Sequence, residues 1–394
     1  MDEQPPADDV RPRTVGVEEE FLLVAADGSG LVAAGDPVAS AATQRLQAGS
    51  GPSAATESGG LEHELMREQV ELGTAICASM DEVGTGVRDL RRRLARAAAD
   101  RGAVLVASAT SPFPGRPHRT DDARYARMAD QFALVAWQQL TCGMHVHVAV
   151  DSRVEGVAVL DRIAPWLPTL RALSTNSPFW QGADTGYASY RTVLWNQWPT
   201  AGPVGAFGDL AGYERAGADL IASGAALDDG MIYFDARLSA SYPTVETRVA
   251  DVCLDAEDAV LIAALARLLV EAAAVRWRAG EPHPPVRAEL LRAAVWRAGR
   301  FSMDDVLLDP VTATLSPAWE LVGALLDWVA VAPSWATDRA LVEAGLERLR
   351  IHGTGAHQQR AVWRGGPKSH DSGDLGALVD LGDLVAELAR RTIA

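Results

Sequence analysis

No apolar run in this 394-residue chain reaches the roughly 18 residues needed for a membrane-spanning helix. The most apolar helical stretch, 260–275, is interrupted by Arg267 and Glu271. No membrane partner is therefore expected. Cysteine is scarce. Cys77, Cys142 and Cys253 are unclustered and odd in number, which argues against a disulfide framework or a structural zinc site. Each stands in an apolar context and reads as a small core residue. Basic charge is in deficit, with 52 acids against 36 bases and a formal net charge of −16. Such a chain repels a nucleic-acid backbone, so no nucleic-acid partner is expected. The first 13 residues hold four acids and three prolines and lack the basic start and apolar centre of a secretory leader. Residues 1–13 read as a disordered tail, and the expected location is the cytoplasm. Three familiar signatures are missing as well: the Gly-x-x-x-x-Gly-Lys-Ser/Thr phosphate loop, the Gly-x-Ser-x-Gly elbow and His-Glu-x-x-His.

What is present is a soluble globular composition, 48% hydrophobic and 22% charged, with material for a large core. Residues 14–24 predict a strand, 31–60 a long irregular segment rich in Ala, Gly and Ser, and 81–102 an amphipathic helix. Further strands are expected over 103–108, 140–150, 231–238 and 244–252. Helices are expected over 121–139, 162–175 (kinked by Pro165 and Pro168), 255–277, 286–298, 318–331, 338–348 and 375–391. Strands and helices mix early and helices dominate late, which makes the class α+β. No internal repeat or linker stands out, so residues 14–394 are expected to form one domain. Homo-oligomers are the default expectation for such a protein.

Five constellations carry possible chemistry. In Gly16-Val17-Glu18-Glu19-Glu20-Phe21, alternation along a strand sets Glu18 and Glu20 on one face and Glu19 on the other. Two adjacent carboxylates repel, and a divalent cation is the usual compensation. A solvent-facing charged edge is the plain alternative. In Gly143-Met144-His145-Val146-His147, two histidines share a strand face, a common ligand spacing that does not choose its metal. In Thr244-Val245-Glu246-Thr247-Arg248, the acid and the guanidinium share a face, either as a structural ion pair or as a metal ligand beside a phosphate contact. Glu64, Glu68 and Glu71 share a face if helical. If residues 70–74 are a strand, Glu71 enters the sheet alone. The aromatic, Gly-rich segment from Ser177 to Arg191, with Trp195 beyond it, suits a pocket wall or a well-packed loop.

Taken in order, the segments GVEEEF, HELMREQVELGT, CGMHVHV, SPFWQGADTGYASYR, YPTVETRVADVC and GTGAHQQRAV resemble the type 2 glutamate–cysteine ligase family, the carboxylate–amine ligases. The resemblance spans about residues 14 to 390. It implies a glutamine synthetase-like catalytic domain, with a curved antiparallel sheet flanked by helices and with metals and ATP on the concave face. It further implies that Glu18, Glu20, Glu64, Glu71, His145 and Glu246 bind Mg²⁺ or Mn²⁺, and that Arg248, with Arg237 and Arg360, serves the nucleotide. Arg191, Tyr190 and Trp195 would border the acceptor pocket, and His147 or an acid near the metals would accept the proton of the amine. The chain departs from the family pattern at Phe234 and Ala236, where Trp-Asp-Ile-Arg-Pro is usual. It departs again at His357 and Gln358, where an acid and a base are usual. These positions bear on the substrate more than on the metals.

The implied reaction joins a small-molecule carboxylate to an amine at the expense of ATP, through an acyl phosphate, as in γ-glutamyl bond formation. Two rivals from other classes use the same residues: a guanidino-kinase-like phosphotransferase, which makes no amide, and a metal-dependent hydrolase, which needs no nucleotide.

Overall fold

The computed structural model describes residues 11–49, 64–365 and 381–394. The expected tail lies almost wholly outside the described residues, as does the second half of the 31–60 segment. Among the described residues no helix is long and apolar enough to cross a membrane.

The organising strand is β1, Val15–Ala25, in which buried and part-buried positions alternate through its charged half and give way to a continuous apolar run. It pairs antiparallel with β2 (Gln69–Gly73), β3 (Ala103–Val106) and β4 (Gly143–Ala149). Two short strands, β5 (Phe179–Trp180) and β6 (Ala183–Asp184), form a hairpin of their own. The main sheet continues through β7 (Ala236–Leu238) and β8 (Thr244–Asp251), giving the order β2-β1-β4-β8-β7 with β3 also on β1. A late hairpin joins β9 (Val306–Asp309) to β10 (Thr314–Pro317). Every pairing between these named strands is antiparallel, and helices back the sheet, in agreement with the expected glutamine synthetase-like α+β class.

The two faces of the sheet have opposite chemistry because side chains alternate along each strand. On one face Val15, Val17, Met144, Val146, Val148, Val245 and Val249 join a single buried cluster with the helices Met80–Ala99, Arg153–Ile163 and Ala256–Arg278. The first of these helices is started by Ser79, which accepts from the Glu82 N–H, while Glu82 accepts in turn from the Ala78 N–H. The helix Ala256–Arg278 is buried over most of its length, which explains its lack of a polar stripe.

Several elements differ from expectation. The Ala-rich segment after residue 31 contains a helix, Gly35–Gly49. Gly35 is required at its start, since a Cβ there would stand 2.0 Å from the Gln69 carbonyl oxygen. The single helix expected over 121–139 breaks at Ala133, whose φ is 49°, into Ala123–Phe132 and Leu134–Trp137. Of the strand expected over 231–238 only β7 forms, preceded by a short 3-10 turn at Asp229–Met231. The helices Arg153–Ile163, Leu210–Ala222 and Gly355–Gly365 were not anticipated.

The late GTGAHQQR segment is structural in this fold. Gln359 donates to both the backbone and side-chain oxygens of Asn176, and Asn176 donates to the carbonyls of Ala107 and Val252. Thr175, Ser302 and Thr354 close the same corner through their hydroxyls.

Candidate active site

Strand register assembles the charged face. Opposite Glu20 on β1 stands Glu71 on β2, and opposite Glu18 stands His145 on β4. His147 faces Glu246 on β8, and Glu246 faces Arg237 on β7. Residues from five strands thus meet on one surface. Between Met144 and Val146 the register of β4 against β8 shifts, leaving one extra residue in β8 between Thr247 and Ala250. A bulge of this kind re-aims side chains. Here it lets Asp251 follow Glu246 and Arg248 onto the same side of β8.

The distances are short. His145 Nδ1 lies 3.4 Å from Glu18 Oε2, 3.8 Å from Glu71 Oε1 and 3.9 Å from Glu246 Oε1, and its Nε2 lies 3.7 Å from Glu20 Oε1. His147 Nε2 is 3.4 Å from Glu18 Oε2, and its Nδ1 meets Thr244 Oγ1 at 3.0 Å. The Gly143 N–H donates to Glu20 at 2.6 Å. Three overlapping groups result, each with its ligand-type atoms within 4.8 Å of one another: Glu18, His147 and Glu246; Glu18, Glu71 and His145; Glu20, Glu64 and Glu71. Glu68 does not join them. It is buried and receives the backbone N–H and ring nitrogen of His118.

Electrostatics shows a site short of positive charge at one end. Burial pushes the Glu71 carboxyl well above its ordinary range, and the neighbouring Glu64, Glu20 and Glu18 push the same way. Burial also raises Glu20 against the opposing pull of Arg191 and the Gly143 N–H. At the other end, burial would raise Glu246, but Arg248 and Arg237 hold it well below the carboxylate range. Arg237 Nε donates to Glu246 at 2.7 Å, and Arg248 contacts the same carboxylate. Burial raises Glu18 too, and the neighbouring His145 and His147 outweigh it, leaving the carboxyl low. Burial and the Arg248 charge bring His145 down to about 4, so its imidazole is neutral and able to ligate. Burial lowers His147 as well, but Glu18 outweighs it and leaves this histidine raised.

A cavity of about 430 Å³ opens over this face. Its lining includes Glu18, Glu20, Glu64, Glu71, His145, His147, Glu246, Arg237, Arg248 and Trp195. The Nε2 atoms of His145 and His147 and the Nε of Arg248 are buried without a hydrogen-bond partner. Carboxylate oxygens with two imidazole nitrogens form a donor set that can hold divalent cations. A larger cleft of about 1210 Å³ lies beyond Trp198, but its charged lining side chains are only Asp219 and Arg292. The smaller cavity is where the chemistry-bearing groups converge.

Three expected site residues lie elsewhere. Arg360 donates to Asp184 at 2.6 and 2.9 Å and to the Tyr187 carbonyl at 2.9 Å, and does not line the cavity. Its guanidinium is engaged in that ion pair in this structure. Arg191 is 1% exposed and packs over Gly143 on the side of the charged face, 3.9 Å from Asp251 Oδ1 and 5.6 Å from the Trp195 ring, and it does not line the cavity. Tyr190 packs against Trp180 and Tyr187. Phe234 is buried against Phe207, and His357 lies 4.0 Å from Asp304 on the surface. Sequence reasoning missed Gln69, Arg124, Tyr125, Gln139, Thr141, Asp228 and Tyr233 on the cavity wall. Single polar residues scattered over four segments carry no spacing signal.

The comparisons agree with this architecture. The family model for glutamate-cysteine ligase family 2 matches residues 14–380. A relative from Frankia alni named as glutamate–cysteine ligase 2-2 is 52% identical over 367 residues, covering 92% of this chain and 96% of its own. Another from Streptomyces coelicolor, named as glutamate–cysteine ligase 2, is 45% identical over 382 residues, covering 97% and 99%. Among solved structures, the glutamate–cysteine ligase of Francisella tularensis in complex with AMP aligns over 98% of this chain and 90% of its own, with TM-score 0.63 and 12% identity. The complex of the ubiquitin-like protein Pup with its ligase PafA aligns over 97% and 76%, with TM-score 0.51 and 12% identity. At that identity the structures establish a common fold. The chain belongs to glutamate–cysteine ligase family 2, and with it to the ATP-dependent carbon–nitrogen ligases.

Proposed function

We propose that this protein activates a substrate carboxylate with ATP as an acyl phosphate and passes the acyl group to an amine, forming an amide of the γ-glutamyl type. Glutamate and cysteine, the substrates in the names of its relatives, are the first pair to test. The observation that carries the reading is the row of Glu18, Glu20, Glu64, Glu71, His145 and Glu246 on one sheet face, with Arg248 and Arg237 at its end.

These acids and His145 would hold two or three Mg²⁺ or Mn²⁺ ions, which when bound supply charge neutralisation for the transferring phosphoryl group. The chain's own residues do the rest. Arg248 and Arg237 fix Glu246 as a carboxylate and present guanidinium donors to the nucleotide phosphates. Trp195 lies 5.9 Å from the Arg248 guanidinium and closes that side of the cavity. His147 stands within reach of Glu18 at the edge of the cluster and takes the proton that the attacking amine releases. The acids at the Glu71 end keep an added anion away until cations are bound, which orders the binding events. Reaction then needs positioning and screening rather than a covalent nucleophile.

The deciding experiment measures phosphate release from ATP with Mg²⁺ across carboxylate–amine pairs, with product masses. ADP and phosphate that depend on both partners, with a product lighter than the pair by one water, establish the ligase. Phosphorylated product without an amide would identify a phosphotransferase. Turnover without nucleotide would identify a hydrolase.

A further inference from the structure

The sheet itself places two of the three carboxylates in the group Glu20, Glu64 and Glu71. Glu20 and Glu71 face each other in the β1–β2 ladder, which ends where Leu22 meets Gln69. Glu64 lies five residues ahead of that end and has no place in the ladder. Three like charges repel, so the third must be held by something else. A loop supplies the hold. Residues 64–67 run antiparallel to 118–120, with a bridge between Met66 and Arg119. The Arg67 N–H donates to the His118 carbonyl at 2.8 Å, and the Thr120 N–H donates to the Leu65 carbonyl at 3.0 Å. The Thr120 hydroxyl donates to the Glu64 carbonyl at 2.6 Å.

Glu68 fastens the same loop. Its side chain is 3% exposed, and among the described residues His118 supplies all of its hydrogen bonds. The His118 backbone N–H is shared by both carboxylate oxygens at 3.1 Å, and the ring Nδ1 lies 2.6 Å from Oε1. Nδ1 carries the hydrogen of that bond, since a carboxylate only accepts. The His118 side chain is itself 69% exposed, so a surface residue satisfies a buried charge. Opening this clasp would leave the charge buried without donors, which holds it shut. The far end of the loop is fixed too. The Gly115 N–H donates to Gln181 Oε1 at 2.9 Å and Gln181 Nε2 donates to the Gly115 carbonyl at 3.0 Å, at the turn between β5 and β6.

We propose that residues 111–120 are a strap that holds Glu64 in place against its neighbouring carboxylates, with His118 and Thr120 as its positioning residues. Neither residue lines the cavity, and each acts through the backbone it grips. Thr120 holds the peptide of Glu64 directly. His118 holds Glu68, four residues further on, and keeps the whole segment from lifting off the sheet. The inference rests on the reading of the carboxylates as a cation site. It makes the affinity for one cation depend on a loop that contributes no ligand, as the support behind a ligand commonly does.

Mn²⁺ binding by the full-length protein tests this without turnover, since electron paramagnetic resonance of the free ion gives both the number of ions bound and their affinities. Glu64→Gln identifies the ion that Glu64 serves. His118→Leu and Thr120→Val should each weaken that ion by about tenfold and leave the others unchanged. His118→Asn, which keeps an N–H donor at the δ position, should bind as wild type does. The double variants Glu64→Gln/His118→Leu and Glu64→Gln/Thr120→Val should bind no more weakly than Glu64→Gln alone, because a support has nothing left to position once its ligand is gone. Additive losses in the double variants overturn the proposal, since a general loosening of the fold would add. Wild-type Mn²⁺ affinity in folded Thr120→Val also overturns it, and this variant leaves the Glu68–His118 pair intact should His118→Leu not fold. A wild-type protein that binds no Mn²⁺ removes the cation-site reading and the strap together. Loss of ions in Glu18→Gln with none in Glu64→Gln removes the strap alone.

Discussion

Arg91 and Glu19 form a buried bidentate pair behind the sheet, with Nε 2.9 Å from Oε2 and Nη2 2.5 Å from Oε1. Arg91 also donates to the carbonyls of Cys253 and Leu254, so the pair ties the helix Met80–Ala99 to β1 and to the entry of the helix Ala256–Arg278. Three consecutive glutamates therefore divide their labour. The middle one is neutralised by protein, and the outer two face the cavity. Arg91→Ala should destabilise the protein by about 3–5 kcal/mol, because it strands a buried carboxylate. The double replacement Glu19→Met/Arg91→Met should recover most of that loss. Urea unfolding of the three proteins measures both, and a mild Arg91→Ala would contradict the structural assignment.

Glu18→Gln should behave in the opposite way. Its side chain is a third exposed, so the fold tolerates the change. Two of the three ligand groups lose a charge, however. ATP-dependent amide formation should fall by about 100-fold or more with an unchanged circular dichroism spectrum. Glu246→Gln should fall as far. Wild-type turnover in both variants would sink the metal-site proposal.

Mg²⁺ or Mn²⁺ should raise the thermal midpoint of the wild-type protein. Free ion at 100 times its Kd stabilises by about 2.7 kcal/mol if one ion binds the folded state alone. Glu71→Gln should shrink the shift. Equal shifts in both proteins would mean that the ions bind elsewhere.

Arg360→Ala distinguishes an ion-pair role from a nucleotide contact. Burial raises the Asp184 carboxyl, but the hydrogen bond and charge of Arg360 outweigh it and leave the group below its ordinary range. A depressed pKa gives stability that is present above the unfolded-state value and lost as pH falls through the folded one. Wild type should thus lose part of its stability below about pH 4. Arg360→Ala should show that loss reduced, while its affinity for ATP is unchanged. A selective loss of ATP affinity would return Arg360 to the nucleotide site.

Much of the site was legible because strand alternation is a local rule. GVEEEF, MHVH and VETR each show which side chains share a face, and all three proved to lie on one sheet. The continuation of β2 as a strand decided between the two readings of Glu71. The helix Gly35–Gly49 was hidden by weak periodicity, since its start depends on Gly35 fitting against the Gln69 carbonyl.

By itself, then, the sequence determined the alternation, the family and the carboxylate-rich character of the site. Tertiary structure alone decided which charges meet. Glu18 and Glu246 are more than 200 residues apart in the chain, and they come together because β4 lies between β1 and β8 in a particular register. Arg191, Arg360 and Gln359 sit in motif-like segments, yet only packing shows that Arg191 and Gln359 are buried and that Arg360 pairs with Asp184. His118 and Thr120 belong to no pattern. Their meaning lies in hydrogen bonds to Glu68 and Glu64, 50 and 56 residues away in the chain, which exist only once it has folded.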